Sequence, residues 1–256
     1  LLGLEAARAL VNLGMRTHVV EKAPALMARQ LDNEAASLLR EMIERLGVET
    51  TLQRQTERIT RRGAGLSLEF RDGPPLNVDM VVIAAGIRPR DELARGCGLE
   101  IGARGGIVVD DDLQTSDENI YAIGECASHE GTVYGLVAPG YAMAETVAEN
   151  LCGAEATFNG SDQSTRLKLL GVDVALCGDY LDPSGAQKLV YCGPDFYRKI
   201  VIRDQRIVGA IGVGPFPELP VIQEWIAARR RIWSWHRRRF NSEGSFWETM
   251  ESDDVS

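Results

Sequence analysis

From Gly3 to Glu21 the chain reads GLEAARALVNLGMRTHVVE, a helix pattern that hands over to a strand pattern within a few residues. Leu4, Ala7, Leu10 and Val11 recur at helical spacing and Gly14 supplies a stop, so the spacing predicts a helix of about 10 residues. RTHVVEK then reads as a short buried strand, rich in β-branched residues and ended by the acid Glu21. Together they form the second half of a β-α-β unit. In units that bind a dinucleotide, a glycine at the helix N-terminus lets helix and strand pack closely, and an acid roughly 20 residues on accepts hydrogen bonds from ribose hydroxyls. Gly3 and Glu21, 18 positions apart, fit that arrangement. An ordinary helix–strand pair whose strand ends in an acid fits as well, and this stretch leaves both readings open.

The alternation continues downstream. LDNEAASLLREMIERLGVET has an acid-rich first turn, an apolar stripe through Ala35, Leu38, Leu39, Met42, Ile43 and Leu46, and Gly47 as its stop: a second helix feeding a strand. Residues 56–78, punctuated by RRGAG and DGPP, predict two or three antiparallel strands, and DMVVIAAG predicts a further apolar strand. Ala84, Ala85 and Gly86 let the backbone pass close to a neighbour, and Pro89 keeps a helix from starting at once. The expected fold is α/β, a doubly wound three-layer nucleotide-binding domain with a small meander.

In LQTSDENIYAIGECA, Thr115 and Ser116 open a segment whose Ile120, Ala122 and Ile123 predict a buried strand, ended by Gly124 and the carboxylate of Glu125. GLVAPGYAMAETVAENL predicts a helix with Pro139 near its start, a stripe of Ala142, Thr146, Val147 and Leu151, and partial positive charge at its N-terminus. After the polar break NGSDQ, five strand-like runs form a small α+β module, in which Arg166, Lys168, Arg198 and Lys199 alternate with apolar residues and read as solvated strand faces. The tail IAARRRIWSWHRRRFNSEGSFWE interleaves six Arg with three Trp. That composition suits docking to an acidic electron carrier, a membrane surface or nucleic acid; more simply it is a terminal amphipathic helix whose tryptophans pack while its arginines stay wet.

A formal charge of −9 argues against a generally nucleic-acid-binding surface, since phosphate neutralisation needs a surplus of Lys and Arg. The five cysteines are scattered, with no C-x-x-C pair and no histidines at metal-ligand spacing, so no metal site is indicated and Cys126 has no partner thiol for redox work. His18, inside a strand, reads as packing, and His129 as a loop residue. No signal peptide or membrane-spanning run is visible, so the expectation is a soluble cytoplasmic protein without a transmembrane segment.

A strand ending in Gly plus an acid resembles the second flavin-binding motif of the two-dinucleotide-domain flavoprotein reductases, in which the acid accepts a hydrogen bond from the ribityl chain. That position is mostly Asp in the superfamily and is Glu125 here. GLEAARAL, AAGIRPR, QTSDENIYAIGECA, YGLVAPGYAMAETVAENL and STRLKLLGVDVALCGD occur in an order that resembles the NADH-dependent nitrite reductase large subunit and its relatives, the rubredoxin and ferredoxin reductase-like flavoproteins, over about residues 1 to 213.

The resemblance implies an NAD domain inserted between two halves of an FAD domain. It places an N-terminally truncated NAD(P)-binding domain at 1–84, the C-terminal part of the FAD domain at 85–156, a small interface domain at 157–220 and the basic, aromatic tail at 221–256. The glycine-rich loop for FAD and the first two glycines of the NAD loop are absent from this stretch, so the fragment alone is expected to bind its cofactors weakly or not at all. The implied cofactors are FAD and NADH, with NADPH less favoured because Glu21 would face its 2′-phosphate with like charge; Lys22 and Arg29 could partly offset that. Glu5 would stand beside the nicotinamide. Gly3, Glu21 and Lys22 would serve the dinucleotide; Ala85, Gly86, Thr115, Gly124, Glu125 and Pro139 would serve the flavin, with the helix behind Pro139 aimed at its pyrimidine edge. The implied activity is hydride transfer from NAD(P)H to FAD, then single-electron delivery to an iron–sulfur, sirohaem or rubredoxin-type protein, with dimerisation through the interface domain. No nucleic acid is implied. Nitrite reduction by this polypeptide alone is not expected, because no cysteine-rich iron–sulfur or sirohaem domain follows. The competing class is a non-catalytic assembly or regulatory module that keeps the fold without complete cofactor loops.

Overall fold

The computed structural model describes residues 2–160, 165–169, 171–181 and 185–243; for 165–169, Trp235 and 241–243 it describes the backbone alone. The chain divides into two compact units, one formed by 1–84 together with 163–256 and the other by 85–162.

The first unit begins with α1 (Leu2–Asn12), which buries Leu4 and Ala7, followed by β1 (Thr17–Val20). Then α2 (Asn33–Arg45) leads into β2 (Val48–Thr51), which pairs parallel to β1 in the register Thr17 to Val48. Asp32 caps α2: its Oδ1 accepts from the Ala35 N–H at 3.0 Å, satisfying one of the donors a helix start leaves free. Ala35, Ala36, Leu39 and Ile43 are buried, each of the larger two contributing about 1.5–3 kcal/mol by leaving water. Leu46, expected on that stripe, is exposed because the helix ends at Arg45 and Leu46 already sits in the cap. The meander β3 (Thr56–Arg62), β4 (Gly65–Phe70) and β5 (Leu76–Val78) follows, antiparallel throughout.

The apolar run at 79–86 departs from expectation. It forms no strand: β1 pairs with β2 alone among the described residues, nothing takes the ladder bonds of this run, and Ile83 is 75% exposed. An apolar run specifies a strand only when a neighbour accepts its backbone bonds, and periodicity does not name that neighbour.

The second unit holds α3 (Glu92–Gly96), β6 (Ile107–Val109), a 3₁₀ turn (Gly124–Cys126), β7 (Ala127–His129) parallel to β6, and α4 (Val137–Leu151). Leu113, Ala122, Ala127, Met143, Val147 and Phe158 make its core. The strand expected over Ile120–Ile123 is reduced to one bridge, Gln114 to Tyr121. Thr115 N–H donating to the Ile120 carbonyl and Ala122 N–H donating to the Leu113 carbonyl make that bridge, and the pairing ends there because the chain between Thr115 and Ile120 turns, with the Asp117 N–H donating to Thr115 Oγ1. His129 lies in β7, not in a loop, and is 2% exposed. Leu151, predicted on the α4 stripe, is exposed at the last turn, and Met143 takes the core position instead.

The C-terminal module belongs to the first unit. Its sheet has the order β10 (Gln187–Gly193), β11 (Phe196–Arg203), β12 (Arg206–Val213), β9 (Val172–Gly178), β8 (Thr165–Leu169), all antiparallel. α2 covers one face, where Val174, Leu176, Tyr197, Ile211 and Val213 join Leu39 and Ile43 in one core. α5 (Leu219–Ala227) covers the other, with Ile222 and Trp225 against Ile200, Ile207 and Ala210. Both faces being covered corrects the reading of solvated strand charges. Lys199 is 3% exposed and Arg198 is paired with Glu218 at 3.2 Å between the rings of Phe196 and Phe216. Alternation shows which residues share a face; it does not show that a helix lies on it. The side chains of Arg166 and Lys168 lie outside the described residues.

α6 (Ser234–Glu243) continues the tail. Here Ile232, His236 and Phe240 are the buried residues, whereas Trp233 is 58% exposed, so the expected tryptophan packing does not hold for it. Arg229, Arg231 and Arg238 are exposed, and Arg230 stacks on Trp225 at 4.7 Å. The tail's third tryptophan, Trp247, lies outside the described residues.

Candidate functional site

In the first unit, the residues of interest lie at the start of α1 and the end of β1. A Cβ built on Gly3 would stand 3.2 Å from the Cβ of Ala84, so the glycine lets α1 lie against the 79–84 run. Glu5 is exposed on the first helical turn. Glu21 is half-buried; its N–H donates to the Thr51 carbonyl at 2.9 Å and its carbonyl accepts from Arg54 at 3.0 Å, which fixes it beside β2. Its Oε1 accepts from the Ala23 N–H at 2.8 Å, leaving Oε2 with no hydrogen bond among the described residues. A carboxylate held this way can accept a further donor such as a ribose hydroxyl. Lys22 and Arg29 are both exposed on the loop that follows. That loop turns at Met27, whose carbonyl accepts from Gln30 and Leu31, buries Leu26 and Leu31, and ends at Asp32.

In the second unit three segments converge. Gly124 opens the 3₁₀ turn with φ +77° and donates its N–H to Met143 Sδ at 3.2 Å. A Cβ on Gly140, in the first turn of α4, would lie 3.6 Å from Gly124 Cα, and one on Gly135 would lie 3.3 Å from Ile87 Cδ1. The chain after Gly86 (φ +91°), the Gly124–Glu125 turn and the start of α4 therefore meet. Glu125 is exposed in that turn and Pro139 is buried in the first turn of α4. The α4 cap position is Leu136, extended and without a side-chain oxygen, so no side chain caps the N–H groups of Val137, Ala138 and Gly140. Their dipole favours negative charge there. Ala85 and Gly86 are exposed. Thr115 is half-buried, its Oγ1 engaged with the Asp117 backbone, and no hydrogen bond among the described residues links it to Gly124 or Glu125.

Two features escaped the sequence reading. His129 donates its Nε2–H to Asp111 Oδ1, 2.9 Å away, and stacks edge-on to Phe158. Asp91 accepts from the Gly106 N–H at 2.9 Å and from Arg95, whose guanidinium holds the Asp91 carboxyl below its ordinary range. The i,i+4 spacing of Asp91 and Arg95 was a visible signal for the second; nothing in the sequence marked the first. No group of three or more His, Cys, Asp or Glu among the described residues is placed to hold a metal ion, and no described helix is long and apolar enough to cross a membrane.

Residues 1–148 match the pyridine nucleotide-disulphide oxidoreductase family, and residues 164–230 match the rubredoxin NAD+ reductase C-terminal domain. The chain is 52% identical over 219 residues to the nitrite reductase [NAD(P)H] large subunit of Klebsiella oxytoca, covering 84% of this chain and 23% of that protein. It is 35% identical over 260 residues to the assimilatory nitrate reductase electron transfer subunit of Bacillus subtilis, covering 100% of this chain and 34% of that protein. Among solved structures it resembles a NAD-dependent persulfide reductase from A. fulgidus, with a TM-score of 0.78, 27% identity, and coverage of 88% of this chain and 47% of that one. The chain thus spans about a quarter to a third of these two curated relatives.

Proposed function

Because the chain belongs to the pyridine nucleotide-disulphide oxidoreductase family, we propose that it is the NADH-binding and part of the flavin-binding portion of a reductase that passes electrons to a redox protein. The observation that carries the reading is the meeting of the Gly124–Glu125 turn with the uncapped start of α4, beside the chain that follows Gly86. A side chain at Gly124 would need positive φ, and a larger residue at Gly140 would press on the turn, so the local backbone is shaped for close approach of a ligand. The residues fit the two cofactors. Glu21 offers its free oxygen to a ribose, and Glu125, Thr115 and the α4 N–H groups line the flavin side, where the helix dipole favours negative charge. FAD, when bound, supplies the step from two-electron hydride uptake to single-electron release; the protein contributes binding, orientation and electrostatics.

Glu5, exposed on the first turn of α1, is proposed to stand beside the nicotinamide. The electron acceptor is proposed to be an iron–sulfur, sirohaem or rubredoxin-type protein, with a homodimer formed through the C-terminal module and the whole located in the cytoplasm. The domain assignment follows the same reading: NAD(P) domain 1–84, FAD part 85–156, interface domain 157–220, tail 221–256. The full-length protein tests the proposal: it should purify with a flavin absorbance band that bleaches on anaerobic addition of NADH. A full-length product that is colourless and takes up no added FAD would instead fit the non-catalytic module.

A further inference from the structure

Among the described residues, Lys199 presents a sharp conflict between residue type and surroundings. The residue is 3% exposed, on the face of β11 that Tyr197 shares and opposite Ile211 of β12, the face covered by α2. Such a burial is costly unless the charge is paired, and Lys199 Nζ lies 2.6 Å from Asp32 Oδ2. Tyr197, two residues earlier on the same face of β11, donates its hydroxyl to that same oxygen at 3.0 Å. Asp32 Oδ1 meanwhile accepts from Ala35 N–H at the start of α2. Burial pulls the Asp32 carboxyl upward, but Lys199, Ala35 N–H and Tyr197 outweigh it and hold it below its ordinary value; burial and the Asp32 charge push the Tyr197 hydroxyl up.

Asp32 is also the far end of the loop that begins at Glu21. The near end is fixed to Thr51 at the end of β2 and to Gln53 and Arg54 just beyond it, Gln53 donating to the Ala23 carbonyl. The far end is fixed by the C-terminal sheet, through Lys199 and Tyr197. Apolar residues of similar size often hold such a face as stably, so this buried ion pair points to placement of the loop over bulk stability.

We propose that Lys199 and Tyr197 are positioning residues for the 22–32 loop, so that NADH binding at the end of β1 depends on a clamp supplied by the C-terminal module. The proposal rests on the reading of Glu21 and this loop as the coenzyme's ribose site.

The test uses the full-length protein and two variants. Lys199→Met removes the charge and keeps the apolar stem; Tyr197→Phe removes one hydroxyl and keeps the ring, so it folds even if the first does not. Amide hydrogen exchange is read without coenzyme over 22–31, with β9 and β12 as internal reference. NADH affinity is read separately by nicotinamide fluorescence. The clamp predicts faster exchange confined to 22–31 and, if about a tenth of molecules then keep the competent loop, an NADH Kd raised about tenfold. Unchanged exchange over 22–31 in both variants, or equal loosening of the reference strands, overturns it; so does a loosened loop with unchanged NADH affinity. A wild-type protein that holds the loop through Lys199 yet binds no NADH overturns the coenzyme reading and, through it, the proposal.

Discussion

Gly3 and Ala84 face each other so closely that a methyl group on the glycine would lie 3.2 Å from the alanine Cβ. Two effects oppose one another at this position. Alanine's preference over glycine, about 1 kcal/mol in a helix interior, is smaller at the second residue of α1, and the contact demands a shift of a few tenths of an ångström. Gly3→Ala should therefore be close to neutral in thermal stability. Gly3→Val adds an isopropyl group, two methyls beyond the alanine that already crowds Ala84, and should cost about 1–3 kcal/mol, with α1 displaced from the 79–84 run. Denaturation of both variants measures this, and equal stability for Ala and Val would show that the close approach is not real in solution.

Glu21→Gln isolates the charge from the geometry, because a Gln carboxamide oxygen can still accept from Ala23 N–H at the position Oε1 now holds. The carboxylate should disfavour the 2′-phosphate of NADPH, so the wild-type protein should prefer NADH. Removing a repulsion on the order of 1.4 kcal/mol shifts the NADH to NADPH ratio of kcat/KM about tenfold towards NADPH. An unchanged ratio would release Glu21 from that role and point to Lys22 and Arg29, both exposed on the same loop.

What could be read from the sequence was what depends on near neighbours along the chain. α1, β1, α2 and the β3–β5 meander follow from spacing, caps and turn residues within a few positions of each element. The helix Val137–Leu151 was visible for the same reason, whereas Gly124 and Glu125 were expected at the end of a strand and lie in a 3₁₀ turn. What failed depends on partners far away in sequence. The 79–86 run has strand composition but no strand to pair with, and Lys199 has the alternation of a solvated face that α2, some 150 residues earlier, happens to cover. His129 became a buried β7 residue because Asp111 and Phe158 come to it from either side in sequence.

Glu125→Ala addresses the flavin side. Glu125 is exposed on a turn whose backbone is set by Gly124 and Met143, so losing its carboxylate should leave the unit's stability within about 0.5 kcal/mol. The expected loss is in flavin content after purification of the full-length protein, with fluorescence of released FAD as the measure. Glu125→Asp, the residue most reductases of this kind carry, should restore it. A full flavin complement in the Ala variant would remove Glu125 from the site.

The remaining prediction concerns pH and the C-terminal helix. His236 is buried beside Trp225, with the rings edge to face at 5.4 Å, and its Nδ1 lies 3.0 Å from the backbone N–H of Trp233. That N–H can donate only to an unprotonated Nδ1, so this contact requires the neutral ring in the tautomer with its proton on Nε2. Burial, helped by the positive charge of Arg230, lowers the His236 pKa below its ordinary 6.5. The unfolded chain therefore binds a proton at a higher pH than the folded one does. The contribution of His236 is fully present above pH 6.5 and is lost as pH falls from there through the lowered folded value, with a slope of at most about 1.4 kcal/mol per pH unit. His236→Asn keeps an acceptor oxygen near the Nδ1 position and cannot titrate. It should lower stability at pH 8 through lost packing on Trp225, yet flatten the fall between pH 7 and 5. Chemical denaturation of both proteins across that range compares the slopes directly, and parallel curves would place the pH sensitivity on another group.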